Sequence, residues 1–300
     1  MSKPIHSNGD SSTLAMIFPK PLPQPAAIEL VNSVSFCHPG YHAPANVLFT
    51  LSQVDDLTTS LKGVHHGTAL TACKIIANNA TNGYLTKDRE GRHRVDQNPD
   101  YVLTKSKYWF FAGPEHDTIY PVVPSFQDWE FPHGSPLINW LKPGGTTAAD
   151  ASEHRCVITR TAELVHPTHL IPLADEQWFE KNAMHQYGDQ SRSDIDQTGN
   201  TTTLRHDLHY ASDDNWFSII PKQNCYVIHQ FHATTAGRTE FAAKYHNIPI
   251  SHGFENVAPE FLFARFARSV LMLAKAFIAS SPVSRHIARF SVMDNGSAEG

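Results

Sequence analysis

His169, Asn200 and His209 stand in the second half of this 300-residue chain in the company that proton transfer and cation binding need. Imidazole has the side-chain pKa nearest neutrality, so a histidine at a strand end can take a proton from water, and it is also a common ligand of divalent cations. After Asn200 come Leu204, Arg205, Asp207, Leu208 and His209, then Asp213, Phe217, Ile219, Pro221 and Lys222. A lone histidine on a strand is more often a satisfied core or surface residue than a catalyst. Asn200, following Gly199, also suits a simple turn. It is the frame around the three residues that favours chemistry over these bland readings.

That frame resembles the HNH endonuclease domain common in filamentous fungal proteins, a member of the HNH or ββα-metal nucleases. The Asn-to-His separation of such domains is nine residues, and His209 follows Asn200 by nine. Cys156-Val157-Ile158-Thr159 opens the domain, His169-Leu170-Ile171-Pro172 carries the base position, and Gln177-Trp178-Phe179 with Asn182 follows. Tyr245-His246-Asn247 and Glu260 to Ala267 look like its closing segment, so the resemblance covers about residues 155 to 275.

The resemblance implies a metal-dependent endonuclease that hydrolyses phosphodiester bonds of nucleic acid, DNA before RNA, by a one-metal mechanism. His169 is then the general base, His209 the metal ligand, and Asn200 a brace that orients His169. Arg205 is a candidate phosphate clamp because its guanidinium fork matches phosphate oxygens; an ion pair with Asp207, Asp213 or Asp214 is its alternative. The residue before the base is Thr168, where many such enzymes carry a metal-ligating Asp or His. The second protein ligand must then be Asp213, Asp207 or His166, or waters and substrate oxygens complete the shell. Magnesium accepts such a shell, which favours magnesium or manganese over zinc. Two other classes stay open: a degenerate HNH fold that binds nucleic acid or protein without cleavage, and an interaction protein governed by its N-terminal part.

The expected class is α+β. Around the site, a strand at Arg155 to Ile158 and another ending at His169 to Ile171 are expected to form the first hairpin. Asp175 is expected to cap a short helix bearing Trp178 and Phe179. Residues 188 to 200 read as a polar loop, Leu204 to Ser212 as the helix of the motif, and Trp216 to Ile220 with Tyr226 to Phe231 as a later β-hairpin. Pro259 to Ala279 reads as a long amphipathic helix interrupted by Arg265, Arg268 and Lys275, basic residues expected to face solvent or nucleic acid. Those charges rule it out as a membrane span.

Upstream, residues 1–26 read as a flexible Pro-rich arm, 27–148 as a small α+β domain, 149–282 as the nuclease domain, and 283–300 as a frayed tail. In the small domain a helix is expected from His66 to Ala80, with strands at Phe36 to Leu51, Tyr84-Leu85, Tyr101 to Leu103 and Tyr108 to Phe111. His65 and His66 at the helix start read as caps before metal ligands. The aromatic stretch from Glu115 to Asp150 is too apolar for a free linker and is expected to pack between the two units.

Composition bounds these readings. With 41% hydrophobic and 18% charged residues the chain is an ordinary globular one. Its net charge of -5 argues against a strong, global electrostatic grip on nucleic acid, leaving local positive potential and salt-sensitive binding. Cys37, Cys73, Cys156 and Cys225 form no C-x-x-C pair and are expected reduced. The start of the chain lacks the apolar core of a secretory signal, so an intracellular location in nucleus or cytoplasm is expected. Oligomeric state and sequence specificity are not legible.

Overall fold

β-branched and aromatic runs broken by Pro39, Gly40 and Pro44 set up the first strands, β1 (Ser33–Cys37) and β2 (Val47–Ser52), which pair antiparallel. The computed structural model describes residues 31–56, 62–95, 98–113, 119–135, 140, 154–189, 193–250, 252–254, 256–280 and 284–289. The expected arm at 1–26 and the division near 148 lie outside the described residues. After β3 (Asp55–Asp56) and β4 (Lys62–His65) comes α1 (His66–Ile76), then β5 (Tyr84–Thr86), β6 (Val102–Leu103) and β7 (Lys107–Phe111). These make a four-stranded sheet of order β2-β1-β7-β5 and a small sheet of order β3-β4-β6.

His65 caps α1, its Nδ1 accepting from the Thr68 amide at 3.2 Å. The helix was expected to reach Ala80 but stops at Ile76, because Asn78 and Asn79 turn left-handed with φ of 54° and 61°. The Asn79 carboxamide is then free to bind the Glu130 carbonyl (2.8 Å) and the Trp129 indole (2.8 Å). In this way the described residues 126–131 of the stretch after β7 are packed, as their aromatics required. Trp129 lies parallel to Trp178 with ring centroids 5.6 Å apart.

The second half begins with a turn and not the expected strand at Arg155 to Ile158: Arg160 has φ of 60°, and the Cys156 amide bonds Thr161 O at 2.9 Å. A β-hairpin does follow, formed by β8 (Val165–His169) and β9 (Thr201–Arg205), with α2 (Glu176–Lys181) in the long connection. Asp175 precedes α2 without a side-chain cap bond; its carboxylate instead joins Arg268 Nε (2.6 Å) and Gln127 Nε2 (2.7 Å). The motif helix, α3 (His206–Asp213), starts two residues later than expected because Leu204 and Arg205 complete β9. Then β10 (Phe217–Lys222) and β11 (Cys225–Gln230) form the expected hairpin, turning through Gln223 and Asn224, both at positive φ, the backbone that matches strand twist. The chain closes with α4 (Ala236–Tyr245), β12 (Pro249–Ile250) beside β11, α5 (Pro259–Leu273) and α6 (Lys275–Ala279).

The expected long C-terminal helical stretch from Pro259 to Ala279 is present, as α5 and α6 joined through Ala274, and α5 is buried on nearly every side. Phe263 meets Trp140, Phe261 meets Phe179 and Phe266 meets Phe231, at centroid distances of 5.2, 5.9 and 6.2 Å. One hydrophobic cluster runs from Val34 of β1 to Phe277 of α6, so the residues before and after 148 share a core. The expected frayed end is docked over residues 284–289, where Val122 and Ile287 form a β-bridge and Arg285 lies over Phe277. All four cysteines are free thiols, Cys225 half-buried and the others buried.

A buried polar network also joins the two halves. Asp55 Oδ1 meets Lys222 Nζ at 2.5 Å, His246 Nε2 at 2.9 Å and Asn247 Nδ2 at 3.0 Å, while Oδ2 accepts the His65 amide at 2.7 Å. Burial alone would raise the Asp55 carboxyl; Lys222 and His246 overcome this and hold it well below the usual carboxylate range. Burial keeps His229, His246 and His65 below the ordinary imidazole value. Removing one partner strands a buried charge, so Asp55→Ala is expected to cost about 3–5 kcal/mol in urea unfolding, with Asp55→Ala/Lys222→Met recovering most of it.

The histidines give a pH prediction. They are released on unfolding to titrate near 6.5 but resist protonation when folded. The unfolded state therefore binds more protons below that value, and stability falls as pH drops through it. Urea midpoints are expected to fall between pH 7.5 and pH 5, a window above the range where Asp55 titrates in either state; a flat profile would count against the neutral-histidine assignment.

Candidate functional site

The β8–β9 register sets His169 directly across from Thr201, the residue after Asn200. Asn200 is fully buried, and its carboxamide is saturated: Oδ1 accepts the Ile171 amide (2.8 Å), and Nδ2 donates to Ile171 O and Ile195 O (both 3.0 Å). Its own carbonyl accepts the Leu170 amide at 2.8 Å. Asn200 thus clamps the two residues that follow His169 and the loop that precedes β9. His169 lies at the strand end, partly exposed, with Nε2 3.0 Å from Asp196 Oδ1. Thr168 is buried, and its hydroxyl donates to the His166 carbonyl at 3.4 Å, so it offers nothing to a cation at the surface.

On α3, His209 and Asp213 are one turn apart on the same face, and Nε2 lies 3.3 Å from Asp213 Oδ2. Both are partly exposed. The His166 ring, on β8, is 6.4 Å from the His209 ring and 5.2 Å from the His206 ring, measured between centroids. An imidazole and a carboxylate converging at an open surface can share one divalent cation and leave the rest of its shell to water, the arrangement that magnesium and manganese accept.

Arg205 is not on the helix but ends β9. It is held by Asp207 through two bonds, Nε to Oδ1 (2.6 Å) and Nη2 to Oδ2 (2.7 Å), and by the Tyr245 hydroxyl at 2.9 Å. Those bonds raise its pKa above the ordinary arginine range and lower that of Asp207. The structure thus shows the ion pair that was one of its two alternatives, and Asp207 is spent in it and does not face His209 as a free ligand.

Two contributors to the site escaped the sequence reading. Asp196 sits in a polar loop whose length hides which residue meets His169. Arg265, expected at the surface, is buried in α5; its Nη1 donates to Leu170 O at 3.4 Å, and its Nη2 to the carbonyl of Ser212 and, at 3.0 Å, to its hydroxyl. Burial pushes its pKa down to about 10, which leaves it charged at neutral pH. The one available signal was its surroundings, since Phe261, Leu262 and Ser269, one turn away on either side, are all compatible with a core face. Arg268 is likewise engaged, with Asp175, and only Lys275 of the three basic residues is exposed.

A second grouping with ligand chemistry lies in the core, where one potential ligand atom from each of Asp55, His229 and His246 lies within 4.8 Å of the others. Lys222 already supplies a cation there: its ammonium meets Asp55, His229 Nδ1 (3.1 Å) and Asn247 Oδ1 (2.8 Å), which matches its three donors. This is a charge network that holds the fold together.

The order β8, β9, α3, with a histidine at the first strand end and a histidine–aspartate pair on the helix, is the ββα arrangement. Residues 156–220 match the HNH endonuclease family. The chain contains an HNH endonuclease domain. No curated protein and no solved structure matches the chain. The matched stretch of the HNH domain ends inside β10, whereas β11, α4 and α5, which cover it, lie beyond. No helix among the described residues is long and apolar enough to cross a membrane.

The HNH domain depends on the Asn200 clamp. Asn200→Ala leaves the Ile171 amide and two carbonyls without partners in the core, and is expected to lower stability by about 2–4 kcal/mol in urea unfolding. A loss under about 0.5 kcal/mol would mean that water replaces the carboxamide.

Proposed function

We propose that the protein is a metal-dependent endonuclease hydrolysing phosphodiester bonds of nucleic acid, DNA before RNA. The observation that carries this reading is the pairing of His169, at the end of β8, with the His209–Asp213 pair on the helix that directly continues the same hairpin. Donation from His169 Nε2 to Asp196 Oδ1 leaves Nδ1 as the basic nitrogen, which takes a proton from the attacking water. Asn200 acts at one remove, fixing the backbone on both sides of that base. His209 and Asp213, with His166 nearby, would hold the cation. When bound, a divalent cation supplies charge relief at the phosphate and at the leaving oxygen.

The net charge of -5 fits an enzyme that visits the nucleic-acid backbone without gripping it. Binding is therefore expected to be weak and sensitive to salt. Arg205 reaches a phosphate only by exchanging Asp207 for it, so Arg205→Ala is a poorer test of catalysis than either histidine.

Purified protein should nick supercoiled plasmid in magnesium or manganese and stop in EDTA. His169→Ala is expected to lower the rate by about 10²–10⁴, the range for loss of a general base, and His209→Ala to abolish metal-dependent nicking. A folded wild type inert on DNA and RNA in both metals would sink the nuclease reading and favour a binding module without catalysis.

A further inference from the structure

We propose that Arg265 is a positioning residue of the HNH site, a rivet that holds strand β8 and helix α3 at the separation catalysis needs. The kinetic part of this inference rests on the nuclease reading above. One guanidinium touches both halves: Nη1 reaches the carbonyl of Leu170, next to His169, and Nη2 reaches the carbonyl and hydroxyl of Ser212, between His209 and Asp213. A guanidinium suits the task because its donors point outward in a fixed plane, whereas an ammonium is a single point.

The local structure of α3 explains the need. It has only eight residues and no side-chain N-cap bond, so its own hydrogen bonds anchor it weakly. Ser212 lies in its last turn, where its carbonyl accepts the Asn215 amide at 2.9 Å and has a second lone pair for Arg265, and where the dipole favours a cation. Arg265 therefore closes the helix end that carries the ligand pair.

The cost of this placement argues against simple core filling. Arg265 is 4% exposed and, among the described residues, has no carboxylate within ion-pair distance. Its direct partners are neutral oxygens and the Asp213 and Asp175 carboxylates act on it only through space, so this buried charge adds little stability over an apolar residue of similar volume. Its Nε and Thr202 Oγ1 have no hydrogen-bond partner among the described residues, and Arg265, Thr202, Ser212 and His169 line a cavity of about 10 Å³, room for about one water. A methionine fills much of that space and removes both bridges.

The test compares wild type with Arg265→Met and Arg265→Lys. Thermal unfolding establishes that each variant folds; kcat and KM are measured on supercoiled plasmid in manganese, manganese affinity by electron paramagnetic resonance, and ring signals by NMR of 15N-histidine protein. In Arg265→Met, kcat is expected to fall about a hundredfold, as for a misplacement of about 1 Å. KM and manganese affinity should stay within about threefold, because both proposed ligands ride on α3 together. The His169 and His209 ring signals should shift, while that of exposed His93, far away in sequence, stays put. Arg265→Lys should resemble Arg265→Met, since it keeps the charge but cannot span both carbonyls, and it carries the test alone if the methionine variant does not fold. Wild-type kcat with unmoved His169 and His209 signals, or full activity in Arg265→Lys, overturns the inference. An inert wild type refutes the nuclease reading instead, and the two ring signals still decide whether Arg265 positions them.

Discussion

Burying α5 on almost every side constrains the rest of the molecule. Phe261, Phe263, Phe266, Val270 and Leu271 are each removed from water, a contribution of about 1.5–3 kcal/mol per large side chain. No single layer can cover a cylinder that is apolar all round, so the helix needs neighbours on several sides. α1 and the Phe126 turn come from the first half of the chain, and β10 and α2 with its Phe179 from the second. Two stretches that read as separate units thus close over one helix and share a core. The Asp55–Lys222 network follows from that closure, since it forms only where β3 meets the end of β10.

Inside this frame the HNH elements are short, and they are held by backbone-directed hydrogen bonds more than by packing. A five-residue strand, its five-residue partner and an eight-residue helix cannot fix side chains by themselves. Asn200 compensates on one side by gripping Ile171 and Ile195, and Arg265 on the other by gripping Leu170 and Ser212. Each uses a polar group that would be costly if left unpaired, so each strongly favours one geometry. The residues proposed for the chemistry, His169, His209 and Asp213, remain partly exposed at the edge of this polar scaffold.

The charge distribution supports the same division. The described basic residues nearest the site are largely engaged: Arg205 with Asp207, Arg268 with Asp175, Arg265 with carbonyls. Little of the local positive potential is left to attract a phosphate backbone, in keeping with an acidic chain. A bound cation would supply such potential.

The sequence by itself determined what depends on local pattern. The nine-residue step from Asn200 to His209, the His169-Leu170-Ile171-Pro172 run, the Trp216 to Ile220 and Tyr226 to Phe231 runs and the apolar stretch after Pro259 all carry their signal in neighbouring residues. They gave the α+β class, the family and the later hairpin. Tertiary structure decided what depends on distant partners. The chain pairs Val165 to His169 with Thr201 to Arg205 and leaves Arg155 to Ile158 as a turn, because strand pairing is a choice among remote segments. It takes Asp175 from a cap to an ion pair and Arg265 from the surface to the core, because a charged side chain goes where its partners are, and those partners lie up to 95 residues away.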